Sequence, residues 1–260
     1  MNLEPNVTST SLSRGVLGHE ILAVYYKVLM EQPGHYDEAE KAANHFFAPF
    51  FGEPGADIAM LTGLKQLLDR YYVLSRGDNW KIRAVEESYD INVNEQFGYV
   101  MRLDLLAEIK DELVLVDHKF LYNMPTQEEL DMNAQLPKYI GSLRFNGLNV
   151  KYGMLNVIRH RQKVGGNPDN ETFQRFIIRP SNIEVRNILR EQFATSVQIL
   201  EKYNEDEPTI IRTMNHLTCK NCSFARLCKA DLLEQDTTDL LLHNFRANSY
   251  GYNADDEVSV

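Results

Sequence analysis

The plainest hydrophobic pattern lies at residues 112 to 121, ELVLVDHKFL, where Leu113 to Val116 run straight into Asp117, His118 and Lys119. An unbroken apolar run of this kind predicts a strand buried on both faces. Side chains alternate along a strand, so Asp117 and Lys119 share one face and His118 takes the other. Upstream, residues 14 to 31 carry apolar positions at helical spacing after the serines of STSLS, which suit a helix cap; His19 lies in the first turns. Residues 36 to 50 and 57 to 76 also read as helices, with Pro-Gly at 33–34 and Gly-Glu-Pro-Gly at 52–55 as breaks. Three β-like runs follow, near 80–93, 97–109 and 113–120. The segment from 126 to 143 opens on a Thr-x-x-Glu capping box and reads as a helix that Pro137 kinks or divides. Strands near 151–159 and 172–178 flank a Gly-Gly-Asn-Pro loop, and a helix covers 181–203. A tail runs from about 235, its last dozen residues expected to be loose. Helices on a largely antiparallel sheet that gains strands through helical crossovers predict an α/β domain.

Composition acts mainly by exclusion. A chain of 260 residues suits one large domain or two small ones. Its 43% apolar and 25% charged content is ordinary for a globular protein. No stretch approaches the roughly 20 apolar residues that span a bilayer, and the N-terminal MNLEPNVTSTSLSRG has no signal-peptide core. A cytoplasmic location without membrane attachment is expected. The net charge of −10 argues against general adhesion to nucleic acid. It leaves room for a local basic groove and for cations bound among carboxylates. Cys219, Cys222 and Cys228 crowd into HLTCKNCSFARLC, which points to a soft-metal site more than a disulfide framework.

Strand pairing adds candidate chemistry. If Lys110-Asp111 forms a two-residue hairpin turn, Ile109 faces Glu112 and Asp104 faces Asp117. Directly opposed Cβ atoms lie about 4.5–5.5 Å apart. Two carboxylates so close repel unless a cation sits between them or one is protonated. A hard divalent cation with oxygen ligands removes the conflict. A one-residue change in the turn would break this register. Lys119, one pleat beyond Asp117, reaches the same pocket. A metal, two acids and a lysine on one face can position and activate water for attack on a phosphodiester.

Asp104 followed by Asp117-x-Lys119 resembles the signature of the PD-(D/E)XK nuclease superfamily. Gly15-Val-Leu-Gly-His19 resembles the G-x-x-x-H motif of its RecB/Cas4-like, phage-type exonuclease branch. Val85-Glu86 resembles the acidic position before the hairpin in that branch, and Gln135-Leu-Pro-Lys-Tyr139 its Q-x-x-x-Y helix motif. Cys219-x2-Cys222-x5-Cys228 resembles the C-terminal half of its iron–sulfur pattern. The motifs keep the family order across residues 12 to 230. The resemblance implies a restriction-endonuclease-like α/β core, a mixed central sheet flanked by helices, with a small C-terminal cysteine-rich lobe. Residues 1–235 would form the nuclease domain, including the metal-binding segment near 216–230, and 236–260 a C-terminal tail.

The resemblance also implies roles. Asp104 and Asp117 bind Mg2+ or Mn2+, with His19 and the main-chain carbonyl of His118 as further ligands. Lys119 orients the attacking water and stabilises transition-state charge. Gln135 and Tyr139, four apart on one helix face, contact the DNA backbone or support the site; Tyr139 reads equally as core packing. Glu86 serves the site or only braces it, and adjacent Glu87 competes for the same alignment. The cysteines hold a 4Fe–4S cluster or zinc. The related nucleases place a first cysteine upstream of G-x-x-x-H, and none precedes Gly15 here. Either the chain begins late or another group, with His216 as candidate, supplies the fourth ligand.

The basic segment KYGMLNVIRHRQK offers Lys151, Arg159, His160, Arg161 and Lys163 to phosphates. Such contacts give affinity without sequence choice. The expected function is a Mg/Mn-dependent DNA exonuclease in recombination, repair or phage DNA metabolism, within a bacterial or phage-infected cell. DNA ends or single strands are its partner; a recombination or replication protein partner stays unidentified. The alternative is a nucleic-acid-binding accessory protein with a metal-stapled C-terminal lobe and little catalysis.

Overall fold

Strand pairing and two layers of helix organise the chain. The computed structural model describes residues 3–5, 10–92, 98–161, 165–203, 215–220 and 222–247. Lys163 and the last dozen residues lie outside them. The first elements are β1 (Leu3–Pro5), α1 (Thr10–Glu31), α2 (Tyr36–Phe47), a 3-10 turn (Ala48–Gly52) and α3 (Ile58–Ser75). The hairpins β2 (Lys81–Asn92), β3 (Gly98–Ile109) and β4 (Glu112–Leu121) follow. Next come α4 (Gln127–Asp131), α5 (Gln135–Phe145), β5 (Tyr152–Arg159), α6 (Asp169–Thr172), β6 (Phe173–Ile178) and α7 (Asn182–Tyr203). The chain closes with α8 (His216–Lys220), α9 (Ala225–Leu232), α10 (Thr238–Asn244) and β7 (Phe245–Ala247). Contacts divide it into two units: Thr10–Tyr203, and Met1–Ser9 with Asn204–Val260.

In the larger unit the sheet runs in the order β2-β3-β4-β5-β6. Only β4 and β5 pair in parallel, joined through α4 and α5; the other neighbours are antiparallel. This is the expected mixed sheet. Val114, Val116 and Phe120 of β4 enter one core with Ile21, Leu22 and Tyr25 of α1 and Leu64 and Leu68 of α3. Leu115 enters a second core with Leu136 and Ile140 of α5. The apolar run is therefore buried on both faces because each face has its own helical layer. Lys110 and Asp111 adopt φ of 51° and 63°, the paired positive values of a two-residue hairpin turn.

Several boundaries depart from expectation. Helix α1 begins at Thr10, so Ser11 and Ser13 are helical backbone and not its cap; Ser9, the residue before it, lies outside the described residues. The predicted 36–50 helix ends at Phe47 and tightens into the 3-10 turn, where Pro49 lacks the amide an α-helix needs. The Thr126–Glu129 capping box forms, but its helix stops at Asp131. The break falls before Gln135, where Asn133 Oδ1 accepts the Leu136 amide at 3.1 Å. Pro137 sits harmlessly in the first turn of α5 instead of dividing a longer helix. The tail predicted from about 235 contains α10 and β7; β7 pairs antiparallel with β1, Leu3 facing Ala247. Buried Phe245 stacks on Phe224 at 5.1 Å, an apolar anchor for that segment. No helix among the described residues is long and apolar enough to cross a membrane.

One glycine fixes the helix that carries His19. A Cβ on Gly18 would overlap the Phe120 ring, whereas one on Gly15 would meet only open space. Close approach of α1 to β4 depends on Gly18. Gly18→Ala is expected to cost about 1–3 kcal/mol, as overpacking does, and Gly15→Ala nearly nothing beyond local propensity. Urea denaturation midpoints of the two variants check this; equal midpoints would show that Phe120 turns aside freely.

Candidate active site

The β3–β4 ladder holds the register set by the two-residue turn, from Ile109↔Glu112 to Leu105↔Val116, where it ends. Asp104 and Asp117 are the next residues on their strands. Beyond the ladder Asp104 Oδ2 accepts the His118 amide at 2.7 Å. On the other side of β3, Val85 pairs with Leu105 and Glu87 with Leu103, placing Glu86 across from Asp104. Glu86 has φ of 50°, uncommon for a residue with a side chain. Leu103 packs in the second core and Leu105 in the first, so β3 changes face at Asp104. Asp104 thus sits between acids on both neighbouring strands.

Helix α1 closes the group from above. His19 Nδ1 lies 3.3 Å from Asp104 Oδ2, with both side chains about a fifth exposed (27% and 17%). One ligand atom each from His19, Glu86 and Asp104 falls within 4.8 Å of the others, and these are the only such trio among the described residues. Arg102 Nε binds Glu86 Oε2 at 2.8 Å. Asp117 adjoins this trio without belonging to it. Lys119 Nζ donates to its Oδ1 at 3.0 Å, and Gln135 Nε2 does so at 3.2 Å. Gln135 Oε1 in turn accepts from Lys119 Nζ at 3.1 Å. Lys119 Nζ also lies 2.8 Å from Asp117 Oδ2, but without hydrogen-bond direction, so that buried oxygen has no hydrogen-bond partner. Oδ2 therefore keeps capacity to accept a further donor or bind a cation.

The electrostatics match a site short of positive charge. Burial pushes the Asp117 carboxyl up to about 6; the Lys119 charge opposes the rise and Asp104 adds to it. Burial and then Asp104 also raise Glu86. For His19 burial lowers the imidazole, yet the hydrogen bond and charge of Asp104 leave it above its ordinary value. Asp104 resists its own burial and stays below the usual range because His19 and the His118 amide favour its anion. A trio of donors, an unsatisfied buried carboxylate oxygen and raised acids fit a divalent cation with carboxylate and imidazole ligands.

His118 turns its ring to the opposite face, as alternation requires. It stacks on Tyr26 at 5.4 Å between centroids, and its Nδ1 lies 2.8 Å from Asn156 Nδ2. Asn156 also donates to the Tyr71 hydroxyl at 2.8 Å. Burial drives the His118 ring down to about 3, so it is neutral. Neither Asn156 nor Arg102 stood out in the sequence; the one available signal was a lone polar residue inside the apolar run YGMLNVI.

The remaining predicted residues are more scattered. Tyr139 is half-buried and packs against the second core. Arg159 pairs with Glu171 at 3.3 Å; Lys151 and Arg161 are exposed. In the smaller unit Cys219 lies on α8, Cys228 on α9 and Cys222 between them, all as free thiols. His216 opens α8, its side chain outside the described residues.

Among solved structures, the chain is similar to SSO0001, at 18% identity over 82% of this chain and 85% of that one, with a TM-score of 0.38. It is also similar to a Eubacterium rectale protein named provisionally as an exonuclease, at 14% identity over 85% and 75%, with a TM-score of 0.48. No curated protein matches it. The profile of the PD-(D/E)XK nuclease superfamily matches residues 2–229. The mixed five-stranded sheet flanked by helices has the restriction-endonuclease-like arrangement expected of that family. With Asp104, Asp117 and Lys119 gathered at the end of the β3–β4 hairpin and the match spanning most of its length, the chain belongs to the PD-(D/E)XK nuclease superfamily.

Proposed function

We propose that this chain is a metal-dependent deoxyribonuclease of the RecB/Cas4-like type, acting as an exonuclease on DNA ends or single strands. The observation that carries this reading is the convergence of His19, Glu86 and Asp104 beside the Lys119–Asp117–Gln135 set. His19, Glu86, Asp104 and Asp117 would hold Mg2+ or Mn2+, with the His118 carbonyl as a further ligand. Such an ion supplies Lewis acidity to the scissile phosphoryl group and its attacking water. Lys119 Nζ, held by Asp117 and Gln135, donates a hydrogen bond to that water and offsets negative charge on the phosphoryl oxygens. The water oxygen bonds to phosphorus, the ester P–O bond breaks, and a proton ends on the departing oxygen. The His118 amide holds Asp104 in place, and Tyr139 supports α5 through its packing. Arg161 serves phosphate contact better than Arg159, whose charge Glu171 already engages.

In the smaller unit, Cys219, Cys222 and Cys228 serve a structural soft-metal site, a 4Fe–4S cluster or a zinc ion with His216 as fourth ligand. End-labelled single- and double-stranded DNA incubated with Mg2+, Mn2+ or EDTA tests the activity. Metal-dependent shortening from an end is expected; intact DNA with both metals would overturn the reading. Iron, sulfide and zinc analysis after anaerobic purification tests the cysteines, and a metal-free protein would leave them ordinary thiols.

A further inference from the structure

We infer that Tyr122 is a stacking platform for an unpaired DNA base next to the cleavage site. This inference rests on the deoxyribonuclease reading above and adds what part of the DNA the enzyme grips. Tyr122 directly follows β4 and is 56% exposed. Single exposed apolar residues are ordinary; what distinguishes Tyr122 is the set of groups that hold its ring.

The ring is exposed and yet held. The Arg161 guanidinium lies over it at 5.3 Å from the centroid, and the His160 ring approaches to 5.6 Å. Arg161 Nη1 donates to Asn123 Oδ1 at 3.2 Å, and the His160 amide donates to the Leu121 carbonyl at 2.9 Å. Arg14 of α1 reaches His160 Nδ1 at 2.7 Å. These bonds tie the segment after β4 to the end of β5, its parallel neighbour, where Leu121 faces Arg159. Carboxyl ends of parallel strands are where open α/β sheets bind their ligands.

The platform is continuous with the site. Phe120 lies 5.8 Å from the His19 ring, and Tyr122 stands two residues beyond it, in the bend that follows β4. Lys119 is three residues back, so at most ~10 Å of backbone separates the two at ~3.3 Å per residue. A base on Tyr122 would keep its own phosphate near Arg161, in a local patch of positive charge on an otherwise acidic chain. Base–aromatic stacking tolerates any sequence, since every base has a π-face, and a nearby arginine adds to it. It does need an unpaired base. The geometry favours single strands and frayed ends over the interior of a closed duplex.

The test uses the full chain in a Lys119→Ala background, with Mg2+ present and cleavage suppressed. Binding of a fluorescein-labelled oligothymidylate of about 15 nucleotides is followed by anisotropy. Tyr122→Ala should weaken binding about 5- to 150-fold, the range of one base–aromatic stack, and Tyr122→Trp should preserve it. Removing single bases along the oligonucleotide should reveal one position where the Tyr122 protein loses a similar factor and the Tyr122→Ala protein loses none. Unchanged affinity in Tyr122→Ala, or equal sensitivity to that abasic position, would overturn the platform. The two readings fail differently. If the chain with Lys119 intact cuts DNA but Tyr122→Ala binds normally, only the platform falls; if it neither cuts nor binds DNA, both do.

Discussion

Asp104→Ala should reduce DNA cleavage to background while the protein still folds. Asp104 holds the middle of the proposed centre: it pairs with His19, accepts the His118 amide and faces Glu86. Its loss removes a ligand for the ion and frees His19 to turn away. The fold loses the His19 pairing and keeps one orphaned amide, the latter costing about 1–3 kcal/mol, against relief of repulsion on Glu86 and Asp117. Lys119→Ala should lower the single-turnover rate about 10²–10³-fold, the usual loss for one electrostatic donor, with little change in DNA affinity. Gln135→Leu should lose about 10–100-fold, as expected of a partner that orients others. Single-turnover rates with denaturation midpoints check all three. Wild-type rates in Asp104→Ala would remove the site from this hairpin. A Gln135→Leu loss as deep as that of Asp104→Ala would mean that Gln135 touches substrate.

The hairpin was legible because local rules and burial agree there. A two-residue turn at Lys110-Asp111 sets the register, and an apolar run needing cover on both faces leaves Asp117 and Lys119 no other side. The capping box at Thr126 was legible for the same reason, being satisfied within one turn. The split after Asp131 was not. Met132-Asn133-Ala134 has no strong helix breaker, and the stop depends on Asn133 capping the next helix. Strands β1 and β7 escaped because three-residue segments at opposite ends of the chain show no period of their own. The place of Glu86 in the trio depends on a left-handed residue in mid-strand. Alternation cannot foresee that, and without it β2 would turn the acid elsewhere. The neutral His118 ring needs Asn156 and Tyr71, partners set by tertiary packing of β5 and α3.

Divalent-ion binding should release protons, more at pH 6 than at pH 8, and should weaken steeply as pH falls below 6. Asp117 ionises only near pH 6 in the metal-free protein, mainly because it is buried. Glu86 and His19 also hold protons above their ordinary values. A cation needs both acids ionised and the imidazole neutral, so it must displace those protons. The same shift sets stability. A carboxyl raised from 3.8 to about 6 on folding favours the native state below about pH 4. That contribution disappears as pH rises through 6, and the buried charge then costs about 3 kcal/mol relative to acid. The Asp117 side chain is only 6% exposed, so solvent screens little of it. His118 acts in the opposite sense: its ring falls from 6.5 to about 3 on folding, so stability declines as pH drops from 6.5 toward 3. Comparison with Asp117→Asn cancels the His118 contribution. In EDTA at pH 8 that variant should be about 2–3 kcal/mol more stable than wild type, and the gap should close toward pH 4. Urea titrations across this range, with calorimetry of Mg2+ binding in two buffers of different protonation enthalpy, make the measurement. A gap that does not change with pH, or binding without proton release, would show that Asp117 is already ionised and that its burial is compensated in the apo protein.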